Sequence, residues 1–426
     1  MSVFAQRPEI ALLLCCARTH VDAEKAERIR ALVAGGLNWD PLMDLACYHR
    51  VIPLLHRHVS DLCPKAVPAP IRQELEELSR ANAYRNLLLS AELLKILSLF
   101  EAHGIPAIPY KGPVLAASLY GDLSLRQFGD LDILVHERDA LRAKDLLLSQ
   151  GFRTRFSLPP KRSAVFLRRE LDFIHDRPPY CVELHWGIIE KHFSFAPDLD
   201  RMWERLEPVS LGGTSVLSLS PEDSLLSLCL HGFLHLWQRL SWICDIAEQI
   251  RACKSLDWQR FIKQATATGC GRIVSLGLFL ANDLLGAEVE EEILSEGRSD
   301  RAPGSLAETI RGNLLRYSDQ QPSPLRRLYL NLRAIDRTKD KARYFLDRLT
   351  PSCDDWDLFP LPAFLFPFYY LLRAVRLAAQ YAFCSAAKTA KLSRWKASPK
   401  SPAVTQGGAS ACPIRSASDP RGRSCE

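Results

Sequence analysis

An α+β fold, with a small mixed sheet set among helical segments, is the architecture this chain predicts. Three observations carry it. Apolar residues recur at helical spacing up to about residue 100; short β-branched and alternating segments follow between Ile105 and Trp186; helical patterning returns from Pro221.

Residues 1–100 read as a helical region. Leu87-Leu88-Leu89, Leu93-Leu94, Ile96-Leu97 and Phe100 recur near every 3.6 residues, and Gly104 sits where a C-terminal cap belongs. The pattern then changes. IPAIPY reads as a short proline-edged strand. VLAASLY follows Gly112-Pro113 as a short helix, and a proline in its first turn disturbs little. After the polar loop GDLSLRQFG comes DLDILV, an alternating β-branched strand. ERDALRAKDLLLSQG reads as a helix stopping at Gly151, followed by three strands in FRTRF, ELDFIHD and YCVELHW. Residues 101–190 thus form the mixed unit. Residues 191–320 form a second helical region, opened by Ser220 as N-cap, Pro221 in the first turn and Glu222 and Asp223 at the positive end.

The 426 residues are enough for several domains, and 47% hydrophobic with 24% charged is ordinary for a globular protein. The net charge of +6 is uneven. From Gln320 onward there are 18 Lys/Arg against 8 Asp/Glu, so the rest of the chain is slightly acidic. The 13 cysteines include no CxxC pair, which argues against a disulfide framework or zinc site and for reduced thiols in the cytoplasm. The first twenty residues lack the charged-then-apolar order of a signal peptide. The longest uncharged run, Leu358–Leu372, holds three prolines and falls short of the about 20 residues of a spanning helix.

A basic amphipathic region is expected at 321–396 and a disordered Pro/Ser/Gly-rich tail at 397–426. Phe368, Leu371, Leu372, Val375, Ala379 and Ala382 recur at helical spacing beside Arg373, Arg376, Lys388, Lys391, Arg394 and Lys396. Such a helix either packs on the protein body or lies on an anionic membrane surface as a peripheral contact. Packing is the expectation here. No nucleic-acid-binding motif accompanies the basic stretch, and no nucleic-acid partner is expected.

The chemistry gathers in KGPVLAASLYGDLSLRQFGDLDILV, residues 111–135. Asp130 and Asp132 stand two apart on one strand, so both carboxylates share a face. Two like charges side by side call for a cation between them, and Mg²⁺ with oxygen ligands suits that role. Glu183 alternates with Val182 and Leu184 and so points away from the apolar set. It serves equally as a third acid or as part of a solvated face. His185 shares its side of the strand. His231 and His235, four apart on a helix, lack the glutamate of a zinc-protease HExxH motif. They either pack in the helix interface or border a pocket. Asp245 has three roles open to it: a cap, a partner for Arg239, or part of a cleft lining.

KGxxLAxxLY, RxxGDxDILV, VELHW, LSPEDxLLxLxxHxxxH and the WxxDI of Trp242, Asp245 and Ile246 occur in that order. Together they resemble an uncharacterised bacterial nucleotidyltransferase family within the polymerase-β-like superfamily. The resemblance implies a nucleotidyltransferase sheet domain. It also implies metal-dependent transfer of a nucleoside monophosphate from a triphosphate such as ATP to an acceptor hydroxyl on a small molecule, saccharide or protein, with release of pyrophosphate. Asp130, Asp132 and Glu183 match the catalytic and metal-binding acids, for two Mg²⁺ or Mn²⁺ ions. Gly112 matches the phosphate-binding glycine, where Pro113 replaces the usual serine and removes both a hydroxyl and an N–H. Lys111 and Arg126 stand as compensating cations in the nucleotide site. The rival reading is a non-catalytic interaction protein that keeps the fold, associated with a membrane surface.

Overall fold

The computed structural model describes residues 7–155, 169–176, 178–189, 197–299, 301–314 and 323–347, with parts of 351–379. Its opening helices are α1 (Pro8–Cys16), α2 (Ala23–Ala34), α3 (Trp39–Tyr48), α4 (Ile52–Leu62) and α5 (Ala69–Ala102). At 34 residues, α5 runs about 50 Å at 1.5 Å per residue. Its two ends serve different cores. Leu75 joins the helical body, whereas Leu89, Leu93, Ile96 and Phe100 lie beneath the sheet.

The sheet domain follows with β1 (Ala107–Pro109), α6 (Pro113–Ser118), β2 (Asp130–Val135), α7 (Ala140–Ser149), β3 (Arg153–Thr154), β4 (Glu170–Asp176) and β5 (Pro179–His185). Among the described residues it is a five-stranded mixed sheet of order β1-β2-β5-β4-β3. Only the β2–β5 pairing is parallel, with Asp132 opposite Glu183. The sheet is covered on both faces. Leu131, Ile133 and Val135 of β2, with Val182 and Leu184 of β5, pack on α5 and α7. Leu134 of β2 and Ile108 of β1 join the helical body on the other side. Since neighbours alternate across a strand, Asp130, Asp132, Glu183 and His185 face the helical body.

Beyond the sheet come α8 (Leu199–Trp203) and a hairpin of β6 (Glu207–Leu211) and β7 (Thr214–Ser218). The sequence reading does not anticipate this hairpin. Its signal is Gly212-Gly213, both with positive φ, between two alternating segments. Ser218 Oγ ties it to the sheet domain by donating to Pro109 O at 2.8 Å. Then come α9 (Pro221–Leu234), α10 (Leu240–Ala252), α11 (Trp258–Thr268), α12 (Gly271–Leu285), α13 (Glu291–Ser299), α14 (Arg301–Leu314), α15 (Pro324–Ala334) and α16 (Thr338–Asp347). Ser220 caps α9 as expected, accepting from Asp223 N. Helices from both ends of the chain share one apolar cluster, which runs from Ile10 to Tyr344.

A polar stripe on α5 holds the loop that leads into β2. Asn82 Nδ2 donates to Ser124 O at 2.8 Å and Asn86 Nδ2 to Arg126 O at 2.7 Å, while Arg85 Nη2 donates to Gly129 O at 3.2 Å. These buried amides stand in for backbone pairing that the loop cannot supply itself.

In the C-terminal segment, residues 368–377 are helical. Phe368, Leu371 and Val375 do not pack on the body as expected; they are exposed, and Leu372 is half-buried. The inward side is taken by Tyr369 and by Arg373, while Arg376 Nε lies 2.7 Å from buried Asp355. The aspartate draws the arginines inward, which turns the apolar row outward. Lys388, Lys391, Arg394, Lys396 and the 397–426 tail lie outside the described residues. Among the described residues no helix is long and apolar enough to cross a membrane.

His49 joins three elements at the edge of the body. Its Nδ1 accepts from Leu240 N at 3.3 Å, so its Nε2 carries the proton and donates to Leu314 O at 3.1 Å. Burial pushes its pKa down to about 4. The unfolded chain therefore takes up a proton below pH 6.5 that the folded chain refuses. The stability His49 contributes is complete above pH 6.5 and lost as pH falls towards 4. At pH 4.5 that loss should be about 2–3 kcal/mol. Urea midpoints at pH 7 and 4.5 check this, and the dependence should shrink in His49→Gln.

Candidate functional site

The site forms where the acid face of β2 and β5 meets α9 and α10. The parallel register puts Asp132 beside Glu183, and His185 follows two residues on. Oxygens of Asp132 and Glu183 and a ring nitrogen of His185 lie within 4.8 Å of one another. His185 Nε2 is 3.4 Å from Asp132 Oδ1 and 3.5 Å from Glu183 Oε2, and its Nδ1 is 3.6 Å from Glu170 Oε2. Asp172, opposite Glu183 on β4, extends the acid face. Glu170 and Asp172 escape the sequence reading, although their alternation with Leu171 and Phe173 in ELDFIHD is the available signal.

The charges are unevenly neutralised. Lys111 Nζ donates to Asp132 Oδ1 at 2.8 Å and sits 4.8 Å from the Tyr110 ring centre. Burial disfavours the Asp132 carboxylate, but Lys111 and His185 outweigh it and hold its pKa well below the usual range. Burial and then repulsion from Asp132 raise Asp130. Burial and repulsion from Asp130 push Glu183 up to about 8. Burial works against a charged His185, yet the adjacent Asp132 and Glu183 carboxylates bring it up to about 9. One acid is thus fully ionised beside two that resist ionisation, as expected for like charges in a confined space.

The Gly112 turn lies against the strand bearing the acids. Gly112 has φ +55° and ψ −120°, a conformation that favours glycine. A Cβ there would stand 3.3 Å from Asp130 O. Pro113 opens a helix of only six residues, so the turn offers few free N–H groups and little dipole.

Arg126 is held from the helical body. Its Nε and Nη2 donate to Asp245 Oδ1 and Oδ2, each at 2.8 Å, while Tyr120 OH donates to Oδ1 at 2.8 Å. Its Nη1 reaches Gly112 O at 3.4 Å. Asp245 is buried, and the partner it takes is Arg126. This ion pair bolts the Gly112 turn to α10.

His231 and His235 pack on one another, ring centres 4.6 Å apart, and both meet Trp242. Burial, reinforced by the Lys111 charge, lowers both, His235 to about 3, so they are neutral. Lys111 acts electrostatically on both, and Asp132 on His231. Arg50 and Arg239, distant in sequence, also converge here; no motif spacing connects residues 50, 130 and 239.

The chain belongs to the family described as uncharacterised nucleotidyltransferases, which matches residues 35–286, more than half its length. None of the curated proteins matches it. The matched stretch holds the acids of β2 and β5, the Gly112 turn, and the α9–α10 residues that face them.

Removing the Asp245 carboxylate would leave the Arg126 guanidinium charged, buried and without its main partner. Asp245→Ala should therefore lower stability by about 3 kcal/mol or more, and Asp245→Asn, which keeps an acceptor, by less. Urea unfolding of the two variants checks the order.

Proposed function

We propose that this protein is a metal-dependent nucleotidyltransferase that moves a nucleoside monophosphate from a nucleoside triphosphate to an acceptor hydroxyl. The observation that carries the reading is the ligand cluster of Asp132, Glu183 and His185 beside a glycine-only turn. A cation fits this place on two grounds. Asp130, Asp132 and Glu183 crowd negative charge, and Lys111 bonds directly to Asp132. His185 Nε2 is buried and completes no well-aligned hydrogen bond. Asp132, Glu183 and His185 would hold the metal, with Asp130 on the same strand face as a further carboxylate ligand. The oxygen donors suit Mg²⁺ or Mn²⁺, and an imidazole at the edge of the set favours Mn²⁺. When bound, the metal supplies charge neutralisation of the phosphates and of the developing pyrophosphate.

The chain's own groups would do the rest. The Gly112 turn lets backbone approach the triphosphate, and Lys111 offsets its charge. Arg126, braced by Asp245, fixes that turn. Glu183 accepts the acceptor's proton at its carboxylate as the hydroxyl oxygen forms its bond to the α-phosphorus. The bond from that phosphorus to the bridging oxygen breaks in line, and pyrophosphate leaves with the electron pair. Most of the acceleration would come from positioning and preset charge.

Asp132→Asn keeps the shape and removes the charge. It should lower transfer about a thousandfold or more, since several kcal/mol of charge stabilisation are lost at tenfold per about 1.4 kcal/mol. Lys111 would lose its buried counter-ion, so the variant should also be less stable, and turnover is compared on protein shown to be folded by circular dichroism. The check is labelled-triphosphate turnover with Mg²⁺ and with Mn²⁺; near-wild-type turnover in the variant would sink the assignment.

A second reading concerns location. Phe364, Phe368, Leu371 and Val375 present exposed apolar side chains on the C-terminal segment. Such a row suits the interfacial layer of a membrane. Phe368→Ser with Leu371→Ser should reduce co-sedimentation with anionic phospholipid vesicles, and equal sedimentation of variant and parent would dismiss the reading.

A further inference from the structure

The glycine turn is short of phosphate donors, and one arginine on the helical side, Arg50, makes no side-chain hydrogen bond among the described residues. The key residue is Arg50. It follows α3 in a Schellman turn, where Val51 N donates to Ala46 O at 3.0 Å and Arg50 N to Cys47 O at 3.2 Å. The residue at that place takes a left-handed backbone, and Arg50 has φ +55°. Glycine does this without strain; arginine does not.

Only two other non-glycine residues among the described ones share this conformation, Leu236 (φ +52°) and Trp237 (φ +45°). They form the turn between α9 and α10 that delivers Arg239. The turn is wedged in place, because the Trp237 indole occupies the space a Cβ on Gly232 would need. All three strained residues thus lie in the two segments that carry Arg50 and Arg239. Backbone strain of this kind persists where surrounding structure enforces it, and it gathers at functional sites.

Those two segments are fastened together. Besides the Leu240 N to His49 Nδ1 bond, Ser241 N donates to His49 O at 3.2 Å. Ile52 N donates to Gln127 Oε1 at 3.2 Å, which sets the Arg50 turn beside the loop entering β2. The Arg239 guanidinium lies 5.9 Å from the ring centres of both Tyr48 and Trp242. The Arg50 side chain has no hydrogen bond among the described residues, and the charges that act on it are the like-charged Arg239, Arg126 and Arg85 and the acid Asp130. Burial, with Arg239 adding to it, draws its pKa down to about 10. A half-buried arginine with more cations than anions acting on it is poised for an anion from outside the chain.

We propose that Arg50 and Arg239 clamp the terminal phosphates of the nucleoside triphosphate, the part that departs as pyrophosphate. The inference rests on the nucleotidyl-transfer reading above and names the polyphosphate subsite for it. The clamp supplies from the ends of α3 and α10 phosphate donors in place of the hydroxyl and N–H that Pro113 lacks. Lys111, beside Asp132, completes the positive side of the path.

The test is calorimetric titration of the full chain with inorganic pyrophosphate and Mg²⁺. The parent protein should bind. Arg50→Gly should weaken binding at least tenfold while its urea midpoint stays level or rises, because glycine relieves the left-handed turn. A merely structural Arg50 would give the opposite pair, a lower midpoint and unchanged affinity. Arg239→Gln should weaken binding comparably, and Arg50→Lys, which keeps charge without the fork, should fall between. Pyrophosphate affinity within twofold of the parent in Arg50→Gly, or no binding by the parent, overturns the clamp. Nucleotide transfer assayed in parallel separates the two ideas. Asp132-dependent transfer that Arg50→Gly leaves unchanged would refute the clamp and keep the transferase. Arg50-dependent pyrophosphate binding without transfer would keep the clamp and refute the transferase.

Discussion

Carboxylates crowded on neighbouring strands repel one another, and the surroundings of this site follow from how that repulsion is relieved. The parallel register of β2 and β5 leaves no choice about crowding, because it sets Asp132 directly beside Glu183. Lys111 bonds directly to Asp132, while Asp130 and Glu183 have weaker compensation. Asp130 and Glu183 therefore stay reluctant to ionise, and Glu183 is pushed up to about 8. A divalent cation entering such a site would displace protons as it binds, so its affinity would rise with pH. The acids are held by a sheet whose opposite face is closed by α5 and α7, so they cannot easily move apart. Rigid crowding of this kind is what a metal site requires and what a purely structural strand avoids.

The second half of the site comes from the helical body, and Arg126 is the connection. It leaves the sheet domain in the loop before β2, meets Asp245 on α10, and reaches back to the Gly112 carbonyl. Tyr120 completes the same buried network. Such a pair stabilises little in net terms, since desolvation offsets most of the attraction, but its bidentate geometry fixes orientation. It sets how the turn, the acids and the α9–α10 surface stand relative to one another.

Much of this was legible in the residues. Alternation in DLDILV and YCVELHW put Asp130, Asp132, Glu183 and His185 on polar faces, and those faces coincide. Gly112 before a short helix, and the capped start of α9, were readable for the same local reason: turn and cap chemistry is written in adjacent residues. What was not legible is long-range. That Lys111 would reach Asp132, that Asp245 would take Arg126, and that Arg50 would stand beside Arg239 depend on packing between segments far apart in the chain. The C-terminal helix shows the other kind of miss. Its apolar row suggested an inward face, but one buried acid, Asp355, turned Arg373 and Arg376 inward instead. A single buried charge can reverse an amphipathic pattern, because leaving it unpaired costs more than exposing a few apolar side chains.

The division of charge between the two halves bears on how the protein works as a whole. The acids belong to β2 and β5; the proposed polyphosphate clamp belongs to the ends of α3 and α10. On the proposed reading neither half would bind a metal–triphosphate complex fully by itself, since one carries the groups for the metal and the other the groups for the terminal phosphates. The contacts of His49, Gln127 and Asp245 are what bring them into one site. Pro113 makes this dependence sharper. A glycine–serine turn could hold a triphosphate largely on the sheet domain's own donors, whereas a glycine–proline turn cannot. On the proposed reading, the missing donor at position 113 and the strained arginine at position 50 are two sides of one arrangement, in which the helices around the sheet domain would share in phosphate recognition.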